Sequence, residues 1–302
     1  MKWTLIDTSQ PSAAAPIAVV LIPKSRDLGD FEVRRALPAA ERRSIGPFVF
    51  FDQMGPVHFA PGKALDVRPH PHIGLSTITW LFQGEIQHKD SLGYDVTIRA
   101  GEVNWMTAGS GIVHSERSPT WARASGATLA GIQAWVALPK NQEEVAPSFH
   151  HYPSSDIPRM DDKGISIALI TGSAFGQRSP VVTASETLYA ELKLQQGKSL
   201  YVPALAEEQA LYVAEGEITL AGQTYNTGSM IVLKPASSVV ITATTTALCM
   251  LLGGAALDGP RHLYWNFVSS SLDRLEQAKD DWLNQRFAMV AGDPEFIPLP
   301  GH

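Results

Sequence analysis

Residues 68–86 read RPHPHIGLSTITWLFQGEI and residues 98–116 read IRAGEVNWMTAGSGIVHSE. His70 and His72 are two apart, and so are His114 and Glu116. On a β-strand, residues i and i+2 project from the same face, so each pair can turn both of its polar groups into the interior of one barrel. Two such strands would surround a single ion with three imidazoles and a carboxylate. A lone histidine is ordinarily a core or surface polar group, but two pairs at strand spacing are poorly explained in that way. The set has no thiolate, which argues against a closed structural zinc site. Imidazole and carboxylate suit a borderline transition metal, and four protein ligands leave up to two positions open on an octahedral ion. By analogy with two-histidine-one-carboxylate iron sites, Fe(II) is the first choice of ion, followed by Mn, Ni, Co, Cu or Zn.

Working outward, helical periodicity is scarce. Runs such as PFVFFDQ (47–53), GIQAWVALP (131–139), ISIALITG (165–172) and SMIVLKP (229–235) are short, apolar and bounded by Gly, Pro, Asn or Asp. These are strand signals, and many of them at short spacing indicate a sandwich or barrel. The halves also resemble each other. LFQGEIQHKDSLGYDVTIRAGEVNWMTAG (81–109) aligns with YVAEGEITLAGQTYNTGSMIVLKPA (212–236), with Gly84 opposite Gly216 and Gly101 opposite Gly228. A repeated β unit predicts two similar barrels in tandem. The polar, proline-containing stretch 140–163 reads as their connection, giving domains 1–140 and 141–302. Near the end, Ser269–Ser271 can cap a helix over LDRLEQAKDDWLNQRF. Leu272, Leu275, Trp282, Leu283 and the stem of Lys279 form its apolar face, expected to pack outside a sheet.

The repeat carries an internal control. Counting from the paired glycines sets Val202 and Ala204 opposite His70 and His72, and Ile241 and Ala243 opposite His114 and Glu116. The second barrel is therefore expected to lack the metal and to be packed with apolar side chains.

Bulk properties narrow the function classes. The chain has 302 residues, 44% of them hydrophobic and 18% charged, with a formal net charge of -6. No long basic run is present, which argues against direct nucleic acid binding; a protein partner stays open. The single cysteine, Cys249, lies in an apolar run and reads as a buried small side chain. No segment has the ~18–20 unbroken apolar residues of a membrane helix. Ala13–Ile22 reads as a strand rather than a leader, and the expected location is cytoplasmic.

The same residues resemble a known pattern. HxH, a Gly closing a strand pair and a later His are similar to the cupin superfamily. DLGDFEVRRALP, GPFVFFDQMGP, VRPHPHIGLSTITWLFQGEI, VNWMTAGSGIVHSER and YWNFVSSSLDRLEQAK resemble pirin-family sequence, from Asp27 to Asp281. The resemblance implies an all-β fold of two tandem cupin (double-stranded β-helix, or jelly-roll) barrels with a C-terminal α-helix. It implies iron held in the N-terminal barrel by His70, His72, His114 and Glu116. It implies a small aromatic substrate and O2, since several bacterial pirins are assigned quercetin 2,3-dioxygenase activity; Glu116 would then accept the flavonol's hydroxyl proton. Eukaryotic members imply the alternative of a metal- or redox-responsive regulator that binds a protein partner. One departure from the wider cupin pattern is Ser76, where a Glu often follows the second His, so the carboxylate falls to Glu116.

Lesser candidates complete the reading. Asp52, Gln53 and Ser115 could hold the outer ring nitrogens of the histidines. Met54, Phe59, Phe82, Trp105 and Met106 could line an apolar pocket or form plain core. His88 could point toward the site or away from it. His58, His262 and His302 read as solvent-facing or structural, and the adjacent pair His150–His151 points in opposite directions along an extended chain.

Overall fold

The computed structural model describes residues 16–27 and 31–301; His302 and the start of the strand expected at Ala13–Ile22 lie outside them. In chain order the first half forms β1 (Ile17–Leu21), β2 (Lys24–Asp27), β3 (Glu32–Leu37), β4 (Phe48–Phe59), β5 (Asp66–His72), β6 (Leu75–Gln83), β7 (Glu85–Asp90), β8 (Asp95–Arg99), β9 (Val103–Thr107), β10 (Ile112–Arg117), the short helix α1 (Thr120–Ser125), β11 (Ala127–Ala137) and β12 (Ser148–Tyr152). The second half forms β13 (Arg159–Asp162), β14 (Ile165–Thr171), β15 (Ser173–Ala174), β16 (Gln177–Arg178), β17 (Thr187–Leu194), β18 (Ser199–Val202), β19 (Glu208–Glu215), β20 (Glu217–Leu220), β21 (Gln223–Asn226), β22 (Met230–Leu233), β23 (Val239–Ala243), β24 (Ala247–Gly254), β25 (His262–Tyr264), β26 (Phe267–Ser269) and α2 (Leu272–Leu283). No helix among the described residues is long and apolar enough to cross a membrane.

The repeat seen in sequence is a repeat of topology. A four-stranded sheet β5-β10-β7-β8 is matched by β18-β23-β20-β21, and a seven-stranded sheet β12-β9-β6-β11-β4-β3-β2 is matched by β1-β22-β19-β24-β17-β14-β13. Each set makes one jelly-roll of the cupin type. The equivalent glycines play the same part in both: Gly84 has φ +87° and Gly216 φ +77°, and a Cβ there would lie 2.5 Å from the Thr128 carbonyl oxygen or 2.2 Å from that of Thr246. Only glycine accommodates both the left-handed backbone and the close strand crossing.

Register fixes the equivalences residue by residue. In the first barrel His114 pairs with His70, and Glu116 pairs with His88. In the second, Val202 pairs with Val239, and Leu220 pairs with Ile241. Val202, Val239, Ile241 and Leu220 therefore stand where His70, His114, Glu116 and His88 stand. Counting from Gly228 had put Ile241 and Ala243 at the last two ligand positions. The register moves these to Val239 and Ile241, because Val239 follows Gly228 by 11 residues whereas His114 follows Gly101 by 13.

By spatial grouping the chain divides into two units, and neither is one contiguous stretch. Of the described residues, the first takes Phe51–Ser154 together with those between Ser25 and Val33 and those from Leu257 onward; the second takes Ser155–Ala256, Arg34–Phe50 and those up to Lys24. The C-terminal helix thus groups with the strands of the first barrel. Its Leu275, Ala278 and Trp282 bury against Ile73, Val113, Phe267, Val290 and Leu299, and Phe267 bridges to Ile73 in parallel. Ser271 caps it, accepting from the Arg274 amide at 3.3 Å. Leu272 and Leu283, expected on the apolar face, are exposed; the buried stripe is the narrower one formed by Leu275, Ala278 and Trp282.

The second barrel is filled by aliphatic side chains, among them Leu188, Leu192, Leu200, Val202, Leu220, Val239 and Ile241. Cys249 belongs to this core, and burial pushes its thiol up to about 12, so it stays protonated and inert.

Candidate metal centre

Strand β5 turns His70 and His72 inward and β10 turns His114 and Glu116 inward, as period-2 geometry requires. All four are buried. The imidazole ring centroids of His70, His72 and His114 lie 4.4–5.0 Å apart, and one nitrogen from each falls within 4.8 Å of the others.

The hydrogen bonds decide which nitrogens these are. His70 Nδ1–H donates to the Arg68 carbonyl at 2.9 Å, and His72 Nδ1–H donates to the Asn266 carbonyl at 3.2 Å. A carbonyl only accepts, so both protons sit on Nδ1 and both Nε2 atoms are left bare. His72 Nε2 faces His114 Nε2 at 3.1 Å. Burial lowers the pKa of all three rings, most strongly for His72 and His114, where the neighbouring imidazoles add to the effect. For His70 the Arg68 carbonyl and Glu116 oppose the shift. The rings are therefore neutral. Neutral imidazoles with converging nitrogens, two of them with the outer nitrogen tied to a carbonyl, form a cluster that can hold a metal ion.

Glu116 stands beside this trio with its own support. Both of its carboxylate oxygens accept from Gln133 Nε2, at 2.9 and 2.8 Å, and Thr79 Oγ1 donates to one of them at 3.4 Å. Gln133 and Thr79 are cross-strand partners on β11 and β6. Two residues along β11, Trp135 meets the His72 ring edge-on at 5.2 Å.

Other candidates fall elsewhere. His88 points into the barrel, where its Nδ1 lies 3.4 Å from His114 Nδ1. Asp52, Gln53 and Ser115 are all buried, but the outer nitrogens of His70 and His72 are held by two carbonyls, and that of His114 faces His88. Ser115 Oγ meets no hydrogen-bond partner among the described residues. Met54 and Phe59 belong to a core cluster with Phe31, Leu81 and Leu129; Met106 packs with Ile112 and Phe149. Trp105 is buried and Phe82 half-buried. His58 bonds Thr128 at the surface. His151 bonds Asn104 at 2.8 Å, and His262 is half-buried on β25.

Several contributors, Thr79 among them, escaped sequence reading. Gln133 and Trp135 carried a usable signal, since they sit two apart in GIQAWVALP and share a face. Asn266 carried none, because it acts through its backbone from a distant part of the chain.

Family models place this architecture. The Pirin model matches residues 30–136 and the Pirin C-terminal cupin domain model matches residues 189–288. The chain belongs to the pirin family. A Pirin-like protein of Caulobacter vibrioides is 48% identical over 288 residues, covering 94% of this chain and 99% of its own. Among solved structures, a quercetin 2,3-dioxygenase from Acinetobacter baumannii superposes with a TM-score of 0.87 at 32% identity, covering 94% of this chain and 95% of that one. A second quercetin 2,3-dioxygenase structure from that organism gives a TM-score of 0.85 at 25% identity, covering 91% and 99%.

Proposed function

We propose that the first barrel is the active site of a metal-dependent dioxygenase that cleaves flavonols such as quercetin with O2. His70, His72, His114 and Glu116 are its metal ligands in this reading, and Fe(II) is the ion. The observation that carries it is the convergence of neutral imidazoles, two of them with Nδ1 tied to a carbonyl and Nε2 left bare. The similarity to two quercetin 2,3-dioxygenases supports the choice of reaction.

When bound, the ion supplies Lewis acidity toward the adjacent hydroxyl and carbonyl oxygens of a flavonol, and a redox-active centre for O2. The chain's own residues do the rest. Three neutral rings present lone pairs without adding positive charge. Glu116 is the anionic member and the base that takes the proton of the flavonol 3-hydroxyl. Gln133 and Thr79 hold that carboxylate in place through hydrogen bonds that leave it lone pairs to spare. Trp135, against His72, offers an aromatic face to an aromatic substrate.

Metal analysis of untagged protein, joined to an assay of flavonol absorbance, O2 uptake and carbon monoxide release, tests the reading. About one iron per chain and flavonol-dependent O2 uptake are expected. Glu116→Gln should lower turnover by about 10²–10⁴-fold, the usual worth of a general base, with the fold retained. Metal-loaded protein that consumes no O2 with any flavonol would overturn the reaction.

A further inference from the structure

Behind His114 lie a second buried imidazole and a buried carboxylate. His88 is 3% exposed and Asp90 1%. Asp90 Oδ1 accepts from the amides of Leu92 and Tyr94 at 2.9 and 3.1 Å, and Asp90 Oδ2 lies 3.0 Å from His88 Nε2. A carboxylate serving two amides in this way is an acceptor, so His88 Nε2 carries a proton and donates it. That leaves His88 Nδ1 bare, facing His114 Nδ1 at 3.4 Å. The long contact is a hydrogen bond only if His114 donates, and donation from Nδ1 leaves His114 Nε2 bare on the side of His72. The His88 ring cannot turn out of this line easily, for it stacks on Phe149 with centroids 4.4 Å apart and planes 16° from parallel.

We propose that Asp90 and His88 are positioning residues that set the tautomer of His114, so that its Nε2 faces the ion. The inference rests on the metal reading of the site. His70 and His72 have their tautomers set by backbone carbonyls, which no substitution removes; His114 has its tautomer set by side chains. The second barrel supports the assignment. There Leu220 takes the place of His88, and Gly222, in step from the shared glycine, takes the place of Asp90. The pair is gone from the barrel that has no ligands to orient.

The test reads the tautomer and the metal separately. At about pH 8, where an imidazole of pKa ~6.5 is neutral, apo protein labelled with nitrogen-15 histidine reports by NMR which nitrogen of His114 holds the proton. The same protein is titrated with Co(II) and followed by visible absorption. Wild type should show His114 protonated on Nδ1 and bind one Co(II) per chain. Asp90→Asn keeps an oxygen for the two amides but turns an NH2 toward His88, reversing the line. The His114 proton should move to Nε2 and Co(II) affinity should fall about 10–100-fold, as for outer partners of metal ligands. His88→Phe keeps the stacking on Phe149 and removes the acceptor, with a similar loss of affinity. His88→Asn restores an acceptor near the lost Nδ1 and should recover most of it.

An unchanged tautomer and Co(II) affinity within about twofold of wild type in both Asp90→Asn and His88→Phe would refute the relay. So would an equal loss in all three variants accompanied by a lower unfolding midpoint, which would make the pair a packing element only. A wild type with the predicted tautomer that binds no Co(II) would sink the metal reading and leave the relay standing.

Discussion

In the first barrel the facing residues on β5 and β10 are His70 and His114; in the second, the facing residues on β18 and β23 are Val202 and Val239. Sheet order and the strand-closing glycines are shared, so the jelly-roll does not depend on what fills this position. The second barrel is what the fold does when packing alone is served, each buried aliphatic side chain contributing about 1.5–3 kcal/mol. In its place the first barrel buries His70, His72, His114, His88, Asp90 and Glu116. Such groups are tolerated only when hydrogen-bonded or paired, and every one of them has a partner here. The difference between the barrels lies in a handful of positions, and those positions hold the candidate metal ligands.

Several substitutions would break or sharpen that contrast. The largest effect is expected from giving the first barrel the interior of the second. His70→Val with His114→Val should abolish stoichiometric metal binding, a loss beyond the 10–100-fold typical of outer-shell changes, while the circular dichroism spectrum keeps its β signature. Binding retained by this variant would show that the ion sits elsewhere. The reverse experiment, Ile241→Glu, buries a carboxylate in an aliphatic core without partners. It should destabilise the protein by about 3 kcal/mol or more, measured by urea unfolding; a neutral result would mean that the second barrel is more polar or more hydrated than its lining implies. Gly84→Ala and Gly216→Ala impose the same left-handed strain and the same clash on the two barrels. Each should cost about 1–3 kcal/mol, and unequal costs would reveal which barrel yields more easily.

Acid should discriminate more gently. Burial lowers the pKa of His70, His72 and His114 below the ordinary 6.5. The unfolded chain therefore takes up protons that the folded barrel refuses, and stability falls as the pH drops below about 6.5. Metal-free protein unfolded in urea at a series of pH values should show this decline, and the His70→Val, His114→Val variant should show less of it. Equal slopes would place the acid sensitivity in other groups.

Much of this contrast is legible in the sequence because it follows from period-2 geometry. PHPH and VHSE need only a strand to bring their imidazoles together, and the glycines of the two GEI motifs announce the repeat. What could not be read depends on pairing across long distances. Gln133 and Thr79 reach Glu116 from two other strands, and no spacing rule links them to it. The ligand-position register of the second barrel slipped because loop lengths differ between the repeats. The helix was visible from its serine cap and its spacing, but which barrel it packs on is settled by Ile73, Val113 and Phe267, residues that look like any other core. His88 was ambiguous for a physical reason: a hairpin strand after a glycine twist can present either face, and only the pairing of His88 with Glu116 resolves which.

The carbonyl that fixes the tautomer of His72 belongs to Asn266, while the edge strand that completes the sheet beside β22 is β1. A ribosome makes β1 before β22, and the histidine strands before Asn266. β1 must therefore wait for a partner strand translated long after it, and the histidine strands must wait for a peptide group that emerges later still. Assembly of the histidine cluster in consequence waits for that distant segment: a nascent polypeptide stalled after its first barrel would carry the three histidines without the carbonyl that orients one of them.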